Sequence, residues 1–138
     1  MSTPDSAAYG LLLALDGYGA DVRDCADGAK LRNLLQTLPP SIGMRPLGEP
    51  HTVYVDEEGI RGLSGFTFIM ESHISIHTYE ERGFVTADIY SCKLFDTQTA
   101  AEYITQAFGL TNVETQVITR GRGFHNLPLP TPEPQLRR

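Results

Sequence analysis

Cysteine is scarce in this 138-residue chain: Cys25 and Cys92 are its only two, and their spacing matches neither a metal-ligand pattern nor a redox pair. Long apolar runs are missing as well. The longest, Leu11 to Leu15, is far too short to cross a bilayer. With no recognisable secretory segment, the expectation is a reduced, cytoplasmic protein. Basic residues are outnumbered, 11 Lys and Arg against 17 Asp and Glu, for a net charge of −6. That balance argues against nucleic acid or an anionic membrane as partner and is compatible with a cationic substrate. No internal repeat, Gly-rich phosphate loop or Gly-x-Ser-x-Gly elbow is present. The remaining composition, 41% hydrophobic and 20% charged, is that of a single globular domain over residues 1–138 that buries its own core without staples.

Met1 to Ser6 is a polar lead, and Ala7 to Leu15 reads as a buried strand closed by Asp16-Gly17-Tyr18-Gly19. Asp24 or Asp27 caps a helix to about Leu38 that sets Leu31, Leu34, Leu35 and Leu38 on one face, and Pro39-Pro40 is expected to stop it. Ser41 to Pro50 reads as a Gly/Pro-rich connection and Thr52 to Val55 as a short strand. The acidic turn Asp56-Glu57-Glu58-Gly59 then leads to Gly62-Leu63-Ser64-Gly65. Further on, Asp96 or Thr97 caps a second helix to about Phe108, burying Ala100, Ile104 and Phe108. Asn112 to Arg120 alternates as a last strand. From Asn126 the chain is a Pro-rich tail (Pro128, Pro130, Pro132, Pro134), expected to be extended or disordered.

Residues 64 to 92 organise the rest. Gly65 to Thr78 reads as one strand, with an apolar entry (Phe66, Phe68, Ile69, Met70) followed by alternation. His73, Ser75 and His77 fall on one face, and Ile74, Ile76 and Thr78 on the other. Glu80 to Gly83 is a turn, and Phe84 to Ser91 alternates again. The order of elements predicts an α+β two-layer sandwich, an antiparallel sheet with two helices on one face. The other face, carrying Ser72, His73 and His77, stays open in a monomer and mixes polar with aromatic groups, as an interface does. Solvent alone accounts for polar groups on such a face. A serine, a histidine and a cysteine in this order have a second reading.

Glu71-Ser72-His73-Ile74-Ser75-Ile76-His77-Thr78, preceded by Gly62-Leu63-Ser64-Gly65 and followed by Asp88-Ile89-Tyr90-Ser91-Cys92, resembles the core of the prokaryotic S-adenosylmethionine decarboxylase proenzymes. The resemblance is close over about 30 residues and loose elsewhere. It departs at the start, where the family's Gly-x-His is replaced by Tyr9-Gly10-Leu11. The resemblance implies a self-cleaving enzyme whose pyruvoyl group, made from Ser72, forms a Schiff base with the substrate amine and serves as electron sink for loss of CO2. It implies that Ser72 attacks the Glu71 carbonyl and that the chain parts between 71 and 72. His77 is then the processing base, Ser64 a residue assisting processing, and Cys92 the proton donor to the product carbon. It also implies a homodimer with active sites shared between protomers, and a product that donates aminopropyl groups to spermidine. The role of His73 stays open.

The family's aromatic after the processing histidine, which stacks on adenine, corresponds to Tyr79, and Tyr54 is the nearest candidate for the opposite side of that clamp. Glu71 completes the substrate-binding candidates. Two alternatives stand beside a decarboxylase of S-adenosylmethionine. One is a decarboxylase of arginine or ornithine on the same fold, for which Asp56, Glu57 and Glu58 supply carboxylates, although such a turn is ordinarily just solvated. The other is a non-catalytic binding or regulatory homologue. His73 and His77 could share a metal only on a helix. On a strand they lie about 13 Å apart, and no metal is expected.

Overall fold

The computed structural model describes residues 8–130. Expectations for Met1 to Ala7, and for Pro132 and Pro134, lie outside them. The elements run β1 (Gly10–Tyr18), α1 (Val22–Cys25), α2 (Gly28–Ser41), β2 (Arg45–Val55), β3 (Gly62–Met70), β4 (Ser72–Tyr79), β5 (Phe84–Ser91), α3 (Thr97–Phe108) and β6 (Asn112–Arg120), followed by a 3-10 turn at Phe124–Asn126. Within the described residues the six strands form one antiparallel sheet in the order β2-β3-β4-β5-β1-β6. Two principal helices cover one face, the expected two-layer α+β arrangement.

The core follows from two periodicities. Leu11, Leu13 and Leu15 on β1, Ile74 and Ile76 on β4, and Val85, Ala87 and Ile89 on β5 alternate inward. They meet the helical stripes Leu31, Leu34, Leu35 and Leu38 of α2 and Ala100, Ile104 and Phe108 of α3, all fully or almost fully buried. Asp27 caps α2 through Lys30 N–H, and Asp96 caps α3 through Thr99 N–H. Asp21, not Asp24, caps the short α1. Phe108 is the largest fully buried side chain, so Phe108→Ala is expected to cost about 3–5 kcal/mol in urea unfolding.

Besides β1, which runs on through Asp16 and Gly17 to Tyr18 where a closing turn was expected, three boundaries differ from expectation. Pro39 and Pro40 lie inside the last turn of α2 instead of ahead of its end. Their missing N–H groups fall where the helix has one residue left to run, and the Ser41 hydroxyl donates to the Leu38 carbonyl at 2.6 Å. The supposed connection Ser41 to Pro50 is largely strand, because β2 begins at Arg45. As an edge strand β2 tolerates Pro46 and Pro50, and its register with β3 shifts between Leu47 and His51, where Gly48 takes φ 76°.

The third difference matters most: Gly65 to Thr78 is two strands, not one. β3 ends at Met70, β4 begins at Ser72, and Ile69 pairs with Ser72 across a turn centred on Glu71. The Met70–Glu71 peptide is cis. The second turn, Glu80 to Gly83 between β4 and β5, lies where the sequence places it.

Candidate active site

The chemistry-bearing residues gather at two places along the β3–β4 pair. At the Glu71 turn, antiparallel pairing of β4 with β5 sets Ser72 opposite Ser91 and so brings Cys92, the next residue, beside the turn. The Cys92 N–H donates to the Glu71 carbonyl at 2.9 Å. Glu71 is exposed, while Ser72 and the unpaired Cys92 thiol are half-buried. Tyr9 lies at the same end of the sheet, its ring 5.9 Å from that of Tyr90. Cys25 contrasts with Cys92. It lies fully buried in the core, where desolvation foremost, with Asp24, Glu80 and Asp21 adding to it, pushes its thiol pKa up to about 11. At neutral pH it is an inert apolar group.

At the far end of β4, His77 pairs with Ser64 of β3, and His77 Nδ1 shares a 2.8 Å hydrogen bond with Ser64 Oγ. A cavity of about 620 Å³ opens here, lined among others by His51, Val53, Ser64, Phe66, His73 and His77. His51 stacks on Phe66 with ring centroids 4.9 Å apart. Tyr79 lies two residues beyond His77 in the same alternating row, its ring 5.9 Å from that of Phe84. Five residues of extended chain separate Ser72 from His77, about 16 Å. One protomer therefore carries two half-sites and does not bring them together.

Register also corrects two expectations. Ser72 falls in the alternating row of Ile74 and Ile76, not in that of His73, Ser75 and His77, because the parity of the exposed row slips by one at the turn. Tyr54 pairs with the buried Leu63, so it lies on the opposite side of the sheet from Ser64, and its hydroxyl donates to Glu80 at 2.9 Å. The position facing Ser64 is Val53, an aliphatic. Asp56 is held by Arg61 at 2.8 Å, Arg61 also binds Glu81 at 3.0 Å, and none of Asp56, Glu57 and Glu58 lines the cavity. His73 packs edge-on against Tyr90 at 5.7 Å. Among the described residues no three His, Cys, Asp or Glu side chains gather as metal ligands, and no helix is long and apolar enough to cross a membrane.

Sequence reasoning passed over His51, Phe66 and Phe68 as cavity walls, and Tyr9 as a neighbour of Tyr90. Phe66 and Phe68 were legible in principle. Exposed phenylalanines recurring at a spacing of two point to a covered face, whereas Tyr9 has no local signal because its neighbours are more than 60 residues away.

A family model described as S-adenosylmethionine decarboxylase matches residues 11–121. An S-adenosylmethionine decarboxylase proenzyme of Bacillus cytotoxicus is 32% identical over 107 residues, covering 75% of this chain and 82% of that one. One of Anoxybacillus flavithermus is 41% identical over 63 residues, 46% of this chain and 51% of its own. The chain thus spans about half the length of the first curated relatives it matches. Among solved structures, the adenosylmethionine decarboxylase of Aquifex aeolicus superposes with a TM-score of 0.71 at 25% identity, covering 95% of this chain and 98% of that one.

Proposed function

The chain belongs to the S-adenosylmethionine decarboxylase family, and on that premise we propose that it is a self-cleaving carboxy-lyase that decarboxylates S-adenosylmethionine, providing the aminopropyl donor for spermidine. One observation carries the reading: the carbonyl at the cleavage position, that of Glu71, accepts a hydrogen bond from Cys92 N–H beside the Ser72 hydroxyl. A donor already placed on that oxygen stabilises the negative charge that grows there when a nucleophile adds to its carbon.

In the first step Ser72 Oγ adds to the Glu71 carbonyl carbon. The Glu71–Ser72 C–N bond breaks, and the hydroxyl proton passes to the freed Ser72 nitrogen, leaving an ester. His77 then removes the Ser72 α-proton, expelling the Glu71 carboxylate by β-elimination. Hydrolysis of the resulting enamine releases ammonia. Since Ser64 occupies His77 Nδ1, Nε2 is the nitrogen free to act as base. The residues at the turn suit the group so formed: Cys92 borders it, and Ser91 and Ile69 hold its strand in register. The pyruvoyl group supplies an electron sink for the substrate amine. Cys92 Sγ, half-buried beside it, returns the proton to the substrate carbon after CO2 departs.

Two half-sites about 16 Å apart in one chain are completed in a homodimer. The open face exposes Phe68 and Val53 by more than half, and a second copy laid two-fold across it can bring the partner's His77 and Ser64 to the Glu71 turn at the edge of the first copy's face. Tyr79, in the row of His77, is offered for stacking on adenine. None of Asp56, Glu57 and Glu58 lines the cavity, which disfavours a guanidinium or ammonium substrate held by them there. Two unpaired thiols suit a reducing, cytoplasmic setting.

Purified protein should run as fragments 1–71 and 72–138 and release CO2 from carboxyl-labelled S-adenosylmethionine. Release from arginine or ornithine instead would shift the substrate, and an uncut chain inert to all three would leave a binding homologue. Cys92→Ala keeps the backbone N–H but loses the thiol. We expect it to self-cleave and then to lose turnover by roughly 10²-fold or more, or to release wrongly protonated product. Normal turnover and product would exclude Cys92 as the acid.

A further inference from the structure

Tyr9 precedes the residues matched by the family model and belongs to none of the roles above. It is nevertheless fixed from several directions at the Glu71 turn. Its N–H donates to the Gly121 carbonyl at 2.8 Å. Its ring lies edge-on to Phe124 at 5.0 Å and tilted against Tyr90 at 5.9 Å. Tyr90 in turn stacks its edge against His73, the residue after Ser72, and carries the Arg120 guanidinium 4.8 Å above its ring.

Two glycines permit this approach. A Cβ at Gly10 would stand 2.0 Å from the Ser91 carbonyl oxygen and 3.0 Å from Cys92 Cα, so only glycine lets the start of β1 lie against the Ser91–Cys92 backbone. A Cβ at Gly121 would stand 2.5 Å from Tyr9 Cβ, at a φ of 65° that favours glycine in any case. The backbone therefore closes on Tyr9 from both sides. Gly10 lies against Cys92, whose N–H holds the Glu71 carbonyl at 2.9 Å, so Tyr9 stands one residue from the backbone that closes on the turn. Burial is the main influence holding the phenol pKa above the ordinary tyrosine value. Cys92, Glu71 and Tyr90 reinforce it and Ser72 opposes it, so the group is a neutral O–H at physiological pH.

We propose that Tyr9 is a positioning residue for self-cleavage, its hydroxyl holding the Ser72 Oγ toward the Glu71 carbonyl carbon for the amide-to-ester step. A serine hydroxyl rotates among three staggered positions, of which attack uses one. A fixed phenol selects that rotamer, while Cys92 N–H polarises the carbonyl from elsewhere. This rests on the reading of Ser72 as the self-cleaving residue. It adds a group from a part of the chain that the family match does not reach.

The test compares freshly synthesised wild type, Tyr9→Phe and Tyr9→Leu, following the appearance of fragments 1–71 and 72–138 by gel and intact mass, with thermal unfolding of each. Tyr9→Phe keeps the ring against Phe124 and Tyr90 and removes only the oxygen. We expect cleavage slowed about tenfold with Tm unchanged, the scale of one lost hydrogen bond to a reacting group. The slowed chain should also resist cutting by hydroxylamine, because the delay precedes the ester. Wild-type rates in Tyr9→Phe overturn the proposal and leave the family reading standing, even if Tyr9→Leu is slow, since the ring alone then matters. Hydroxylamine cutting at 71/72 in Tyr9→Phe overturns it too, by placing the delay after the ester. An uncut wild type overturns the reading of Ser72 and this inference together.

Discussion

Ser72→Ala is expected to remain one uncut chain with no decarboxylase activity. Alanine keeps the backbone, and the loss is chemical: without Oγ nothing adds to the Glu71 carbonyl, no ester forms and no ketone replaces the serine. Because Ser72 is half-buried at the start of β4 and its hydroxyl is not needed by the core, the variant should unfold within about 0.5 kcal/mol of the uncut wild-type precursor, as near-surface changes do. Intact mass gives the first readout, borohydride trapping with substrate the second, and urea unfolding the third. A Ser72→Ala chain that still parts between 71 and 72 would remove the proposed centre.

His77→Ala is expected to fail differently. The ester step needs Ser72 and the polarised Glu71 carbonyl, both distant from His77 along the strand. Elimination needs a base at the Ser72 α-carbon. The variant should therefore accumulate ester, with completion slowed by roughly 10²–10⁴-fold. Hydroxylamine should cut it at 71/72, whereas it leaves Ser72→Ala whole. The 16 Å between the half-sites, about five strand residues, adds a sharper test. Co-expressed Ser72→Ala and His77→Ala chains should yield cut His77→Ala chains, because a mixed dimer joins one copy's Ser72 to the other's His77. If His77 served its own chain, no such rescue would occur.

Much of the fold was readable from residues alone. The leucine stripe of α2 and the Ala100, Ile104 and Phe108 stripe of α3 lie buried as their spacing requires, and Asp27 and Asp96 cap as capping residues do. The Glu80 to Gly83 turn announced itself by charge and glycine. The turn at Glu71 did not, since Met70-Glu71-Ser72 holds no Gly, Pro, Asn or Asp. Its one trace was a phase slip, with exposed Phe66, Phe68 and Met70 at even positions and His73, Ser75 and His77 at odd ones. Missing that slip put Ser72 in the wrong row. Tyr54 failed for a related reason: one position along β2 exchanges the two faces of the sheet, and only the register with β3 decides which face it takes. Pairings over long sequence distances, such as Tyr9 with Tyr90 or Cys92 with Glu71, leave no local mark.

The strand order β2-β3-β4-β5-β1-β6 acquires another meaning once the chain is severed at Glu71. The leading piece then owns β1, β2 and β3, and the trailing piece β4, β5 and β6. They do not sit side by side, because β1 is threaded between β5 and β6. Neither piece has all three of its strands side by side, so the product is a pair of interlaced peptides laid down while the precursor was still one chain. Denaturing the finished enzyme would separate partners that must find each other again by diffusion, with the original tether gone.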